Sequence, residues 1–306
     1  MAHDPDEKTP SRKDIRALVE SCRVTAGKGF RLDRHPTGNP VPDLLDKAAG
    51  QALLQRDVAE LSGLQETLYA NSTWSLLLVF QAMDAAGKDS TIKHVMTGVN
   101  PQGISVTSFK QPGPEDLAHD FLWRITRALP ARGMIGVFNR SHYEEVLVAR
   151  VHPEILAAQR LPPSLADGKH FWDHRLEDIA GFERHLGRQG TRVVKFFLNV
   201  GRDEQKSRFL DRLDEPDKNW KFSPDDLKER ARWDDYRAAY DAAIAATATP
   251  EAPWYVVPAD HKWLMRLIVG AAVVDTLRGL DLEAPKASPD LQKRFAAARS
   301  ALAAED

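Results

Sequence analysis

Residues 74–83, WSLLLVFQAM, form a short and nearly continuous apolar run. That pattern belongs to a parallel strand buried on both faces, since a half-exposed strand would alternate. A Gly-Lys turn follows, and then a segment of helical character. Upstream, between Asp43 and Tyr69, Leu44, Leu45, Ala48, Ala52, Leu53, Val58, Leu61, Leu64 and Leu68 recur at helical spacing. Downstream the alternation repeats: strand 103–109 and helix 114–129, strand 134–139 and helix 141–151, helix 171–186 and strand 191–200, helix 203–213, then strand 253–259 and helix 261–277. Strands alternating with helices predict an α/β fold, a parallel sheet with helices on both faces.

Three stretches break the rhythm. Residues 214–232 lack an apolar face, are dense in charge and hold Trp220 and Phe222, which suggests a surface lid. With the preceding helix the helical lid is expected over about 202–232, where nine Lys or Arg balance nine Asp or Glu. Residues 1–24 are expected to be a flexible tail, its first 14 residues richest in charge and proline. Residues 12–34 carry seven Lys or Arg against three acids, either a solvated arm or one that touches an anionic substrate or a second subunit. The Ala-rich end, 281–306, reads as a peripheral helix or a loose tail. No repeat or linker divides the remainder, so 25–280 is taken as one domain.

Composition narrows the function classes. The formal net charge is -2, far from the strongly basic balance of a general nucleic-acid binder. Cys22 is the sole cysteine, which excludes an internal disulfide and a multi-cysteine metal cluster and fits a reducing compartment. The polar start, MAHDPDEKTPSRK, has no apolar signal core, and no apolar run approaches the ~20 residues of a membrane helix. A cytoplasmic protein without a membrane partner is expected.

The chemistry concentrates in Gln81-Ala82-Met83-Asp84-Ala85-Ala86-Gly87-Lys88-Asp89-Ser90-Thr91. A buried strand that meets a helix through Gly-Lys is the setting of a phosphate loop. Amides at a helix start lack intrahelical acceptors and bind anions, so Ala85, Ala86, Gly87, Asp89 and Ser90 are candidate phosphate contacts. Lys88 adds a mobile cation beside the transferring group. The match is imperfect, because Ala82 stands for the first glycine of the pattern and Asp89 for its hydroxyl residue. Asp84 puts a carboxylate among phosphates, where like charges at ~4 Å repel unless a cation intervenes. Mg²⁺ bridging Asp84 and phosphate, with Asp89 replacing the hydroxyl, is one answer; Asp84 as a helix cap is the other.

A second constellation, Val137-Phe138-Asn139-Arg140-Ser141-His142-Tyr143-Glu144-Glu145, ends another buried strand. Ligands gather at the C-terminal ends of parallel strands, so Asn139 and Arg140 point to the edge that carries Lys88. Arg140 can grip phosphate through two N–H groups. One of Glu144 and Glu145 compensates a helix start, and the other is a magnesium ligand or an acid that orients the acceptor. His142 reads as structural. In the lid, Arg208, Arg212, Lys218 and Lys221 could close over phosphates, or each could sit in a solvated ion pair.

Four ordered segments, AMDAAGKD (82–89), GVNPQG (98–103), FNRSHYEEVLVARV (138–151) and DEPDKNWKFSPDDL (214–227), resemble the polyphosphate kinase 2 family over about residues 25–280. FNRSHYE resembles its class III branch, which phosphorylates both AMP and ADP. The resemblance implies a P-loop kinase fold, reversible transfer from inorganic polyphosphate to adenine nucleotides (AMP or ADP, giving ADP or ATP), Mg²⁺ (or Mn²⁺), and a homo-oligomer, a dimer or tetramer. It carries the family's catalytic and metal positions to Asp84, Lys88, Asn139, Arg140, Glu144 and Glu145, with Glu145 one methylene longer than the usual residue, and its lid arginine to Arg208. An ATP-dependent kinase of nucleoside monophosphates or small metabolites, and a non-catalytic nucleotide or polyphosphate sensor, are the alternatives that share this loop.

Overall fold

The computed structural model describes residues 10–166 and 168–305. Its centre is a six-stranded sheet: β1 (Arg23–Val24), β2 (Ser75–Ala82), β3 (Ile104–Ser108), β4 (Ile135–Asn139), β5 (Thr191–Asn199) and β6 (Trp254–Pro258), in the order β1-β6-β5-β2-β4-β3. β2 through β6 pair in parallel, and β1 closes one edge antiparallel to β6, Arg23 opposite Tyr255. Every residue of β2 is buried, as its unbroken apolar run requires. β3, at the opposite edge, leaves Val106 and Ser108 exposed. Because the strands run in parallel, β2 and β4 end together: Phe80 lies in register with Asn139. The two chemistry-bearing segments are thereby brought side by side.

Helices cover the sheet. Helix Lys262–Arg278 packs on helix Lys47–Asn71 and on β6. Helices Phe171–Arg188 and Trp233–Thr247 pack on each other, the first also on β5. Helix Lys47–Asn71 starts at Asp46, whose carboxylate accepts from the Ala49 amide at 2.8 Å. Its Gly50 lies under the Trp263 ring, where a β-carbon would come within 2.4 Å.

Three expectations on element boundaries change. Residues 12–24 are ordered: Ser11 and Asp14 form a capping box, and helix Arg12–Cys22 buries Ile15, Leu18, Val19 and Cys22 against helix Lys262–Arg278. The apolar residues recur at helical spacing, but the basic residues between them mask the pattern; the expected tail over residues 1–9 lies outside the described residues. The helix expected over 114–129 is two short pieces, Pro114–Leu117 and Trp123–Arg127. Asp120 accepts from the Leu122 amide and His119 stacks on Trp123, which together turn the chain between them. The helix expected over 141–151 is a 3₁₀ turn, His142–Glu145, followed by a single turn, Val148–Val151. At the C-terminus Ser288 caps helix Pro289–Leu302, which buries none of its residues.

Candidate active site

β2 runs out at Ala82 and helix Lys88–Val95 begins at Lys88, so the intervening residues must turn sharply. Ala85 and Gly87 do so with φ of 59° and 105°. The second suits only glycine, since a β-carbon there would also press on Met265 Cε at 3.2 Å. Gly87 begins the helix without a side-chain cap, so Asp84 does not serve as one. The Asp84 carboxylate points instead to Arg140, Oδ1 to Nη2 3.4 Å. Lys88 folds back over the loop and donates from Nζ to the Ala82 carbonyl at 2.8 Å. Burial lowers its pKa first and the Arg140 charge second, against the pull of Asp84, Glu144 and Asp89. Ser90 Oγ and Thr91 Oγ1 both donate to the Gly87 carbonyl, at 3.0 and 2.9 Å.

From the end of β4, Asn139 donates to Asp89 Oδ1 at 2.6 Å and ties the two strand ends together. Arg140 adopts a left-handed φ of 63° while its amide still donates to Phe80 O at 3.0 Å. That bend turns its guanidinium into the cleft, where it spans Asp84 and Glu144, the latter at 3.2 Å. The Glu144 carboxylate, opposed by burial and aided by Asp84, raises the Arg140 pKa further. All three side chains keep solvent access. Asp84, Lys88, Arg140 and Glu144 thus share one cleft at the ends of β2 and β4.

The acidic pair divides. Glu145 is buried on the far side of its turn, between Arg124 at 3.3 Å and Arg175 at 3.6 Å, and it accepts from Gln159. Burial nevertheless raises its pKa. It faces none of the cleft residues, so the carboxylate that accompanies Asp84 is Glu144. His142, fully buried, contacts Glu183 at 3.4 Å. Below it lies a closed polar network that the sequence reading did not find: Lys195 bonds to Glu183, Tyr143 Oη and the Thr247 carbonyl.

The expected lid also divides. Helix Arg202–Asp214 belongs to the body, burying Gln205, Arg208 and Phe209. Arg208 does not reach over the cleft; it lies behind the loop, bonded to backbone carbonyls. Arg212 contacts Lys221 O at 3.3 Å and Asp226 at 3.7 Å, and Lys221 lies over the Trp220 ring, so both stay within 202–232. The side chain of Lys218 lies outside the described residues. Helix Asp225–Ala231 lies nearer to the cleft charges: burial is the main cause that raises the Asp226 pKa, Asp84 raises it further, and Arg212 and Arg140 lower it. Tyr236 donates its hydroxyl to Glu229 of that helix, and burial first, then nearby carboxylates, push up the hydroxyl pKa values of Tyr236 and the buried Tyr240.

A divalent cation can be tested against these donors. Among the described residues no three His, Cys, Asp or Glu side chains group as a metal site. Asp84 and Glu144 do converge on a single guanidinium from two sides. One or two carboxylates, with phosphate oxygens and water for the rest, is the donor set Mg²⁺ takes beside phosphates. The fit is therefore to an ion shared with substrate, through Asp84 and Glu144; Asp89 is held by Asn139, and Glu145 points away.

A phosphate loop at the tip of a parallel strand, with cations and carboxylates gathered at the neighbouring tip, defines a P-loop kinase type of phosphotransferase. The polyphosphate kinase 2 family model matches residues 44–285, and the chain belongs to that family. It is 49% identical over 288 residues to the ADP-polyphosphate phosphotransferase of Rhodopseudomonas palustris, covering 94% of this chain and 99% of that one. It is 46% identical over 226 residues to the AMP/ADP-polyphosphate phosphotransferase of Meiothermus ruber, covering 74% and 80%. The crystal structure of polyphosphate kinase 2 from Arthrobacter aurescens TC1 superposes with a TM-score of 0.82 at 43% identity, over 92% of this chain and 95% of that one. Among the described residues no helix is long and apolar enough to cross a membrane.

Proposed function

We propose that the cleft transfers a phosphoryl group in line and reversibly from inorganic polyphosphate to AMP or ADP, forming ADP or ATP. The observation that carries this reading is the convergence of Lys88, Arg140, Asp84 and Glu144 beside a sharp turn at Ala85 and Gly87 that opens a helix, whose first amides lack intrahelical acceptors. Phosphoryl transfer asks a protein mainly for positioning and charge neutralisation. The acceptor is already an anion, so no side-chain base is needed. Lys88 leaves the Ala82 carbonyl for the transferring group. Arg140, mounted on a bent backbone, turns a second cation to the same place. Asp84 and Glu144 would hold Mg²⁺ (or Mn²⁺) jointly with phosphate oxygens, and the ion, when bound, would offset the charge that shifts from the acceptor oxygen to the leaving group.

Polyphosphate as donor and adenine nucleotides as acceptors rest on the family and on the two relatives at 49% and 46% identity. A donor-by-acceptor matrix tests the reading: polyphosphate or ATP against AMP, ADP and GDP, with and without Mg²⁺. Polyphosphate activity with AMP and ADP, abolished by chelation, is the expected result. Transfer from ATP alone makes the chain an ATP-dependent kinase, and binding without turnover makes it a sensor; either refutes the proposal. Assembly as a dimer or tetramer and residence in the cytoplasm belong to the same reading, and light scattering and cell fractionation check them.

A further inference from the structure

Gln205 and Arg208 stand one turn apart on helix Arg202–Asp214, so both face the same way. They face the back of the phosphate loop. Gln205 Nε2 donates to the Asp84 carbonyl at 2.9 Å. Arg208 Nη1 donates to Ala85 O at 3.1 Å and to Ala86 O at 2.7 Å. Three successive loop carbonyls are therefore held by two side chains, which are only 2% and 5% exposed.

The remaining donors of Arg208 are also committed. Nη2 donates to Ala259 O at 2.6 Å and Asp260 O at 3.1 Å, just past the end of β6, and Nε donates to Glu204 at 2.7 Å. A guanidinium has five N–H groups, and here five acceptors take them. A side chain so saturated has none left for a phosphate oxygen. Its charge is offset by Glu204 and by carbonyl dipoles, as a buried cation requires.

Because a peptide is planar and trans, its carbonyl and its N–H point in opposite directions. Anchoring the Asp84 and Ala86 carbonyls behind the loop aims the Ala85 and Gly87 amides forward, while the Ala86 amide closes the turn onto Met83 O at 3.3 Å. Donors fixed in advance toward developing charge are what such a site needs. Gln205 is fixed in turn: its Oε1 accepts from Arg230 Nη1 at 2.7 Å, and Arg230 also donates to Arg202 O at 2.8 Å. Arg230 comes from helix Asp225–Ala231, whose Asp226 carboxylate feels the charges of Asp84 and Arg140.

We propose that Gln205 and Arg208 are positioning residues that set the phosphate loop from behind, with Arg230 linking helix Asp225–Ala231 to that loop through Gln205. The inference rests on the phosphotransfer reading above. Arg208→Lys keeps the charge but cannot reach five acceptors, and Gln205→Met keeps the volume but loses both amide contacts. Steady-state kinetics with polyphosphate and ADP, corrected for the folded fraction, are measured beside the melting temperature, with exposed Lys206→Gln on the same helix as control. Both variants should lose kcat at least ~30-fold, in keeping with misplaced charge-stabilising donors, while KM for polyphosphate stays within about threefold; Lys206→Gln should match wild type. Arg230→Gln should lower kcat about threefold to tenfold with KM held, the scale of one residue along a coupled network.

A rise in KM for polyphosphate with kcat preserved would make Arg208 a phosphate ligand and overturn the inference. So would lowered melting temperatures with normal kcat per folded molecule, the mark of a purely structural role. If Arg208→Lys does not fold, Gln205→Met decides alone by the same split. An inactive wild type would instead sink the phosphotransfer reading, which separates the two failures.

Discussion

Lys88→Ala removes the ammonium that folds over the loop, 2.8 Å from the Ala82 carbonyl. An ammonium at ~3 Å from a phosphoryl oxygen, at an effective dielectric of ~20, is attracted by ~5 kcal/mol. Part of that returns when it is lost, because Arg140 lies close enough to depress the Lys88 pKa and is relieved of a like charge. A net loss of ~3 kcal/mol in transition-state stabilisation, about a hundredfold or more in kcat, is the expected result. The ground state suffers less, since Arg140 and the loop amides still hold the donor, so KM for polyphosphate should move by no more than about threefold. Coupled luminescence from polyphosphate and ADP at saturating concentrations reads the rate, and circular dichroism melting confirms the fold. A well-folded variant with kcat within threefold of wild type would remove Lys88 from the chemistry and refute the geometric argument.

Glu144→Gln should cut kcat at least ~30-fold and raise the Mg²⁺ requirement, as loss of one of two carboxylates at an ion predicts, while Glu145→Gln should leave the Mg²⁺ titration unchanged and lower the melting temperature by unbalancing Arg124 and Arg175. Lys195→Met should cost about 3–5 kcal/mol by leaving Glu183 buried without its cation, and the Lys195→Met/Glu183→Leu pair should recover much of it in urea unfolding. Asp57, with a buried and unpartnered Oδ2, has its pKa pushed up to about 6 by burial, Glu60 and Asp275, against Arg278 and Arg12. A raised carboxylate pKa means that the folded state binds the proton more tightly, so stability falls as pH rises from about 4 to about 6. Asp57→Asn should therefore melt higher by about 1–3 °C at pH 7.5 and lose that advantage near pH 4; an equal difference at both would refute the cause assigned.

Much of the fold was legible because buried parallel strands write themselves as apolar runs. β2, β4, β5 and β6 fall within a residue or so of their expected limits. The elements misread were those whose apolar residues are interleaved with charge, as in helix Arg12–Cys22, or interrupted by local side-chain bonds, as at Asp120 and Ser141. The site was legible where it follows strand ends: Asp84, Lys88, Asn139 and Arg140 come together by register alone. Glu144 and Glu145 are adjacent identical residues on a 3₁₀ turn, and only the packing of Arg124 and Arg175 decides which one leaves the cleft. Arg208 follows a strand end as expected, yet the carbonyls that saturate it come from residues 85, 86, 259 and 260, contacts that spacing along the chain does not encode.

The most direct measurement of the central claim is ATP formation by the purified chain from polyphosphate, ADP and Mg²⁺ with no ATP supplied. The account requires ATP to accumulate as polyphosphate shortens, and to stop when the cation is chelated. A flat trace from a correctly folded, Mg²⁺-supplied sample, under conditions where ATP does phosphorylate an acceptor, would contradict it.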